Sequence, residues 1–135
     1  MSHVRQIMEA HPATVQIDVD ALVTCIEACF DCAQTCTACA DACLAVPDLA
    51  RLVRCTALCN NCSDVCIATG RFLSRQTEFV SALAQSLVQA CREACRESGE
   101  ECERHAHHHE HCRICAEVCQ ACAQACDALL GALPG

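Results

Sequence analysis

The 135-residue chain has a formal net charge of −8 and contains 18 cysteines, but it has no lysine, tryptophan or tyrosine. An acidic chain without a basic patch is not expected to bind nucleic acid. No stretch is apolar for long enough to cross a membrane. The length favours a single domain that spans residues 1–135.

The N-terminal stretch MSHVRQIMEAHPATVQ has no apolar run, and it is interrupted by His3, Glu9 and His11. It therefore does not resemble a secretory signal, and we expect the protein to be cytoplasmic. Thiols stay reduced in that compartment. The cysteines are therefore not expected to form a disulfide scaffold.

Four long helices are predicted, and no segment alternates like a strand. They cover about residues 18–45, 48–69, 74–105 and 109–133. The residues before Pro12 are a candidate for a short extra N-terminal helix. Four helices with short connections pack alternately up and down. The predicted fold is therefore all-α, an antiparallel up-down-up-down four-helix bundle with a cysteine-lined core.

Local signals set the expected ends of the first three helices. Asp18 or Asp20 can cap the first helix, and Pro47 follows its end. Gly70 is expected just after the second helix, as a C′ residue. Ser74 is expected to cap the third helix.

The turn between the third and fourth helices is located by the phase of the cysteines. The series that begins at Cys91 keeps its rhythm as far as His109, and a separate series begins at Cys112. The break is therefore expected between about His105 and Cys112. The alternative ends the third helix at Ser98-Gly99, which would leave Cys102 in a loop.

Most cysteines recur at alternating steps of four and three residues. The first helix carries Cys25, Cys29, Cys32, Cys36, Cys39 and Cys43, and the second carries Cys55, Cys59, Cys62 and Cys66. The third carries Cys91, Cys95 and Cys102, and the fourth carries Cys112, Cys115, Cys119, Cys122 and Cys126. The mean step of about 3.5 residues is that of the inward face of a packed helix. The cysteines therefore occupy the positions that leucine and isoleucine take in most bundles.

The up-down-up-down arrangement makes the two ends of the bundle different. One end, here called the apolar end, collects Leu22, Leu73, Leu83, Leu87, Val88, Leu129 and Leu133. The first layer of thiols next to it is Cys25, Cys66, Cys91 and Cys126, and the layer farthest from it is Cys43, Cys55, Cys102 and Cys112. Beyond that last layer lies the histidine end, formed by His105, His107, His108, His109 and His111.

Three explanations other than metal storage are open for these thiols. Cysteine can act as a small hydrophobic residue, but a core made almost wholly of it would be underfilled. Disulfides are opposed by the expected compartment and by the poor geometry of neighbours along one helix. The triplet that starts at Cys25 matches the CxxxCxxC pattern of radical-SAM enzymes. It recurs from Cys32, Cys55 and Cys115, so it is a by-product of helical phase.

Metal storage accounts best for the pattern. Cysteines three and four residues apart lie on one face of a helix, so two sulfurs can bind one ion. Soft thiolates select Cu(I), Zn(II) or iron–sulfur clusters. Equal numbers of thiolates and Cu(I) ions are neutral, whereas Zn(II) in separate four-thiolate sites leaves buried negative charge, which is costly. We therefore expect roughly one Cu(I) per cysteine, with a Zn(II)-binding, metallothionein-like buffer as the alternative.

The CxxxCxxC repeats, the inward face and the histidine-rich approach to the last helix together carry a resemblance to a known family. The chain resembles the bacterial cysteine-rich four-helix-bundle copper storage proteins, in their cytosolic branch. The resemblance covers about residues 18–133. It implies Cu(I) bound by thiolates inside each bundle, filling through one open end, and a homotetramer. The third helix matches least well, because Ser98 stands on its inward face.

The histidine end has two interpretations. In one, its side chains form only a solvated turn. In the other, His105, His108, His109 and His111 bind copper and pass it to the nearest cysteines, since neutral imidazole is a copper ligand. The phase of the helices gives no reason to include His107 among the copper-binding histidines. No nucleophile with a partner base is apparent outside the metal-binding residue types. We therefore expect a protein that is not an enzyme and that has no catalytic residues.

Overall fold

The computed structural model describes residues 2–134, and these residues contain five α-helices. They are α1 (Val4–Glu9), α2 (Val19–Cys43), α3 (Val53–Ser74), α4 (Ser81–Arg104) and α5 (Glu110–Ala132), and a 3₁₀ turn at Leu49–Leu52 precedes α3. No strand occurs among these residues, and none of these helices is long and apolar enough to span a membrane. The predicted all-α class and the short N-terminal helix are confirmed.

The four long helices, α2 to α5, pack in a ring in chain order, and α5 returns to contact α2. Neighbouring helices run in opposite directions. Along α3 and α4, Cys66 lies 3.8 Å from Cys91 between their Sγ atoms. Farther along, Cys55 lies 3.6 Å from Cys102, so residue numbers rise on one helix as they fall on the other. This is the predicted up-down-up-down bundle, with cysteines from every helix facing the axis.

Helix α2 begins where a side-chain cap is available. Asp18 is its N-cap, and the Asp18 Oδ1 atom accepts hydrogen bonds from the backbone N–H groups of Asp20 at 2.9 Å and Ala21 at 3.3 Å. Such a cap satisfies backbone donors that have no partner within the helix. Of the two predicted caps, Asp18 is therefore the one used. The helix ends at Cys43, ahead of Pro47.

Helix α3 differs from the prediction at both ends. It starts at Val53, after the 3₁₀ turn, and it continues to Ser74 rather than ending near residue 69. Gly70 was predicted as a C′ residue, and this is wrong, because it lies within the helix without a positive φ. A Cβ atom at Gly70 would lie 3.0 Å from Cζ of Phe30. The glycine therefore serves the close packing of an aromatic ring of α2 against the backbone of α3.

The prediction that Ser74 caps the next helix is also wrong. Ser74 is the last residue of α3, and its hydroxyl donates to the carbonyl of Gly70 at 2.7 Å. Helix α4 starts at Ser81 instead, with Val80 in extended backbone conformation as its N-cap. The residues between Ser74 and Ser81 form a longer connection than the sequence signals indicated.

The turn between α4 and α5 lies where the phase of the cysteines placed it. Helix α4 runs through Ser98-Gly99 and ends at Arg104, and α5 begins at Glu110. Cys102 is thereby kept on the inward face of α4. The alternative end at Ser98-Gly99 is excluded.

The apolar end is closed by large side chains. Leu22, Leu73, Val88 and Leu129 are fully buried, and Leu133 nearly so. Leu83, however, is 52% exposed, and Leu87 is only partly buried. The buried position on the first turns of α4 is Ala84. Steps of three and four residues back from Cys91 lead to Val88 and Ala84. The prediction of Leu83 was wrong, because Leu83 does not lie at these helical steps.

Candidate metal centre

All eighteen cysteines are buried, and all are free thiols. Sulfur–sulfur distances between neighbouring thiols are van der Waals contacts, such as 3.5 Å between Cys36 and Cys119 and 3.8 Å between Cys32 and Cys62. A disulfide bond is about 2.05 Å long. The four inward faces therefore meet as a continuous column of reduced thiols.

The ligand atoms converge in groups that could each hold a metal ion. Within every group the donor atoms lie within 4.8 Å of one another. Starting from the histidine end, the groups are Cys39–Cys43–His111–Cys112, then Cys39–Cys59–Cys102–Cys115, Cys32–Cys36–Cys62–Cys119, Cys32–Cys66–Cys95–Cys122, and Cys29–Cys91–Cys122. Cys39, Cys32 and Cys122 each belong to two groups. A thiolate at such a position can bridge two ions, so the two groups that share it are linked.

The predicted layers are present as overlapping contacts rather than flat rings. Near the apolar end, Cys91 lies 3.8 Å from Cys66 and 3.9 Å from Cys29. Near the histidine end, the Cys102 sulfur is 3.6 Å from both Cys55 and Cys59. Cys102 thus contacts two successive cysteines of α3. Cysteine steps of four and three residues do not place the thiols of antiparallel helices at equal heights along the bundle.

Crowding controls the charge that the thiol column can carry. Burial raises the pKa of the Cys43 thiol to about 11, and the nearby Cys112 reinforces this. Hydrogen bonds from Cys39 and Cys55 lower the pKa of Cys112 to about 3, and His111 adds to the effect. The Cys112 thiolate is thus stabilised by neighbouring thiols that keep their protons and by His111. Full ionisation of the column requires bound cations, and their binding must release protons.

The five histidines of the histidine end have different surroundings. The His111 Nε2 atom lies 3.5 Å from the Cys43 sulfur, and His111 belongs to the outermost donor group. His105 pairs through Nε2 with Glu101 at 2.9 Å, and His109 pairs through Nε2 with Asp48 at 3.0 Å. The side chains of His107 and His108 are exposed. Among the described histidines of this end, His111 is the one that contacts a thiol.

Two carboxylates at this end were not singled out from the sequence. Glu101 is four residues before His105 on α4, a spacing that local reasoning could have recognised. Asp48 lies on the connection between α2 and α3, far from His109 along the chain, and only the fold brings them together. The His109 ring in turn lies 5.4 Å from the His111 ring between centroids. Asp48 and Glu101 therefore orient two imidazoles at the histidine end.

The chain is similar to proteins of known family and known structure. A model of the copper storage protein family matches residues 18–131. The structure of the copper storage protein Ccsp from Streptomyces lividans, loaded with 10 copper equivalents, is similar with a TM-score of 0.94 and 46% identity, over 96% of this chain and 99% of that chain. No curated protein matches the chain.

Two further structures of the Streptomyces lividans protein agree with this match. A cytosolic copper storage protein with five coppers is 50% identical with a TM-score of 0.84, over 85% of this chain and 96% of that one. A histidine-to-alanine mutant of Ccsp is 48% identical with a TM-score of 0.87, over 89% and 100%. The family match spans all four long helices and their thiol column. The chain therefore belongs to the copper storage protein family.

Proposed function

We propose that this protein stores copper as Cu(I), with roughly one ion per cysteine, bound by thiolates inside the bundle. The observation that carries the proposal is the convergence of buried, free thiols into linked donor groups along the axis. The copper-loaded Streptomyces lividans structures, with five and with 10 copper equivalents, support it. The proposed role is storage without catalysis.

Charge and coordination favour Cu(I) over other soft ions. Eighteen thiolates bound to as many Cu(I) ions form a neutral column, which a buried core tolerates. Cu(I) accepts two or three sulfur ligands, whereas Zn(II) requires a closed tetrahedron. Thiols that belong to two overlapping groups, such as Cys32 and Cys39, suit bridging between adjacent ions. This sharing is the feature that separate Zn(II) sites would not use.

The proposed ligands are all eighteen cysteines, with His111 completing the outermost group through Nε2. His105, His108 and His109 are proposed as residues that receive copper before it reaches this group. His105 and His109 would act through Nδ1, because a carboxylate already occupies the Nε2 atom of each ring. Loading through the histidine end is favoured because the opposite end is closed by buried leucines.

The location and the assembly are inferred from relatives. The Streptomyces lividans protein is described as a cytosolic copper storage protein, and we infer the same compartment here. The homotetramer that the family resemblance implies remains a prediction. Light scattering of the purified protein, with and without copper, tests it directly.

Anaerobic titration with Cu(I) in the presence of a competing chelator tests the storage function. The expected result is saturation near one Cu(I) per cysteine, with no loss of helical signal. A parallel titration with Zn(II) is the control. Saturation at about four or five ions with Zn(II) preferred over Cu(I) would contradict the proposal and favour a zinc buffer.

A further inference from the structure

The histidine end places nitrogen and oxygen donors directly outside the buried sulfur column. The side chains of His105 and His109 are partly exposed, at 20% and 12% of their surface. The thiols of Cys43 and Cys112 are fully buried. An ion that enters from solvent at this end therefore meets imidazole before it meets sulfur.

Carboxylates hold the two outer imidazoles in place. Glu101 pairs with the Nε2 atom of His105 at 2.9 Å, and Asp48 pairs with the Nε2 atom of His109 at 3.0 Å. A carboxylate partner fixes the orientation of a histidine ring and strengthens its other nitrogen as a ligand. The Nδ1 atom of each ring is thus the one that can bind a metal ion.

His111 connects these rings to the thiols. Its ring centroid is 5.4 Å from that of His109. At this separation both rings can bind one ion, because a metal–nitrogen bond is about 2 Å long. The Nε2 atom of His111 is 3.5 Å from the sulfur of Cys43, and the donor atoms of the outermost group, Cys39, Cys43, His111 and Cys112, lie within 4.8 Å of one another. An ion bound beside His111 is therefore within reach of buried sulfur.

The two kinds of donor suit two oxidation states of copper. Imidazole nitrogen and carboxylate oxygen are typical ligands of Cu(II), whereas thiolates select Cu(I). A sulfur ligand that binds Cu(II) can give it one electron, because sulfur ligands favour the reduced ion. Cu(II) that is held by the histidines is therefore open to reduction when it reaches the first thiols.

We propose that the histidine end captures Cu(II) and that Cys43 and Cys112 reduce it to Cu(I) as it enters. Each thiol gives one electron to one ion, and the two sulfurs then join. Two Cu(II) ions and two thiols thus give two Cu(I) ions, one disulfide between Cys43 and Cys112, and two protons. These cysteines belong to α2 and α5, so the bridge avoids the poor geometry of neighbours along one helix.

The reaction is stoichiometric, because it consumes two thiols of the protein itself. Exchange of the disulfide with two molecules of a small thiol restores both cysteines and leaves the small thiol oxidised. The inference rests on the proposed function, because the thiols that remain in the column receive the Cu(I). Protein loaded from Cu(II) without a reductant should therefore hold less Cu(I) than protein loaded from Cu(I) directly.

Electron paramagnetic resonance of the reduced, metal-free protein, mixed anaerobically with two equivalents of Cu(II), tests this reaction. The Cu(II) signal should first show nitrogen ligands and then disappear. A chelator specific for Cu(I) should detect both ions in the reduced state, and a thiol assay should find two thiols fewer. Alkylation followed by mass spectrometry should locate the disulfide at Cys43 and Cys112. These measurements use the wild-type chain and require no variant to fold.

Variants separate capture from reduction. His111→Ala removes the ring between the outer imidazoles and the thiols, so the Cu(II) signal should decay more slowly by about tenfold or more, since even an outer partner of a metal site has effects of this size. The double variant Cys43→Ser/Cys112→Ser removes both electron donors, so Cu(II) should stay bound to nitrogen and keep its signal. His107→Ala is the control, because His107 is exposed, and it should behave as the wild type does.

Several results would overturn the reduction of Cu(II). They are a Cu(II) signal that persists in the wild-type protein, a disulfide between cysteines other than Cys43 and Cys112, or a His111→Ala variant that reduces Cu(II) at the wild-type rate. Direct titration with Cu(I) distinguishes this failure from failure of the storage function. If the capacity is roughly one Cu(I) per cysteine while Cu(II) stays unreduced, storage stands and only the reduction fails. If the capacity for Cu(I) is far lower, the storage function fails and the inference fails with it.

Discussion

Glu101 offers a sharp test of how the histidine end is held in place. Its side chain, near the end of α4, is only 7% exposed. It accepts a hydrogen bond from Arg104 Nη1 at 2.6 Å and pairs with His105 Nε2 at 2.9 Å. Arg54 of α3 lies 3.4 Å away through Nε. We predict that Glu101→Gln destabilises the metal-free protein.

The expected magnitude follows from the exposure of the partners. A hydrogen bond to a charged group contributes about 1.5–3 kcal/mol to stability. Glutamine keeps one acceptor oxygen, and the side chains of Arg54 and Arg104 are more than half exposed, so their charges return to water at little cost. The free energy of unfolding at pH 7 should therefore fall by about 1–2 kcal/mol.

The dependence on pH has a definite sign. Burial alone would raise the pKa of Glu101, but hydrogen bonds from His105 and Arg104 outweigh it and hold the pKa below its ordinary value of 4.5. A carboxyl group whose pKa is lower in the folded state stabilises the protein above its unfolded pKa, and this stabilisation is lost as the pH falls through the folded pKa. The difference between the wild type and Glu101→Gln should therefore be present at pH 7 and shrink as the pH falls below 4.5.

Urea unfolding of the reduced, metal-free protein, followed by far-ultraviolet circular dichroism, measures this difference. Glu97→Gln is the matched control, because Glu97 is exposed on the same helix. Its free energy of unfolding should equal that of the wild type. The reasoning is refuted if Glu101→Gln is as stable as the wild type at pH 7, or if its deficit persists unchanged at acid pH.

Two further predictions concern the two ends of the bundle. Leu129 is fully buried at the apolar end, so Leu129→Ala should lower the free energy of unfolding by about 2–5 kcal/mol. Leu83→Ala, at an exposed position, should change it by no more than about 0.5 kcal/mol; equal losses in urea unfolding would show that the apolar end is assigned wrongly. His111→Ala should slow Cu(I) loading in stopped-flow measurements more than it lowers the capacity, because one outer donor is lost while the thiol column remains. The exposed His107→Ala is its control, and unchanged kinetics for His111→Ala would remove His111 from the loading path.

The phase of the helices was predictable because it is a local property. The cysteine rhythm predicted the inward face of each helix, and it located the turn between α4 and α5 without any glycine or proline to mark it. The same rhythm, extended back from Cys91, leads to Ala84. The choice of Leu83 instead shows that hydrophobicity alone is a weaker guide than phase.

The ends of α3 were less predictable, because the signals there had more than one meaning. Gly70 and Ser74 indicated the end of one helix and the start of the next, yet Gly70 lies within α3 and Ser74 is its last residue. Gly70 is required by the ring of Phe30, which belongs to another helix. A glycine that permits close packing and a glycine that ends a helix look the same in a single sequence.

The sequence by itself determined the helices, the inward placement of the thiols and the contrast between an apolar and a histidine end, because each of these follows from residue type and short-range periodicity. Only the tertiary structure decided which helix faces meet at each level of the bundle. Asp48 and His109 are 61 residues apart along the chain, and Cys43 and His111 are 68 apart. Their contacts depend on the stagger and rotation of packed helices, which local periodicity does not contain. For the same reason, the sequence showed Ser98 only as the residue that interrupts the cysteine series of α4. Packing brings its hydroxyl into contact with thiols of the other three helices.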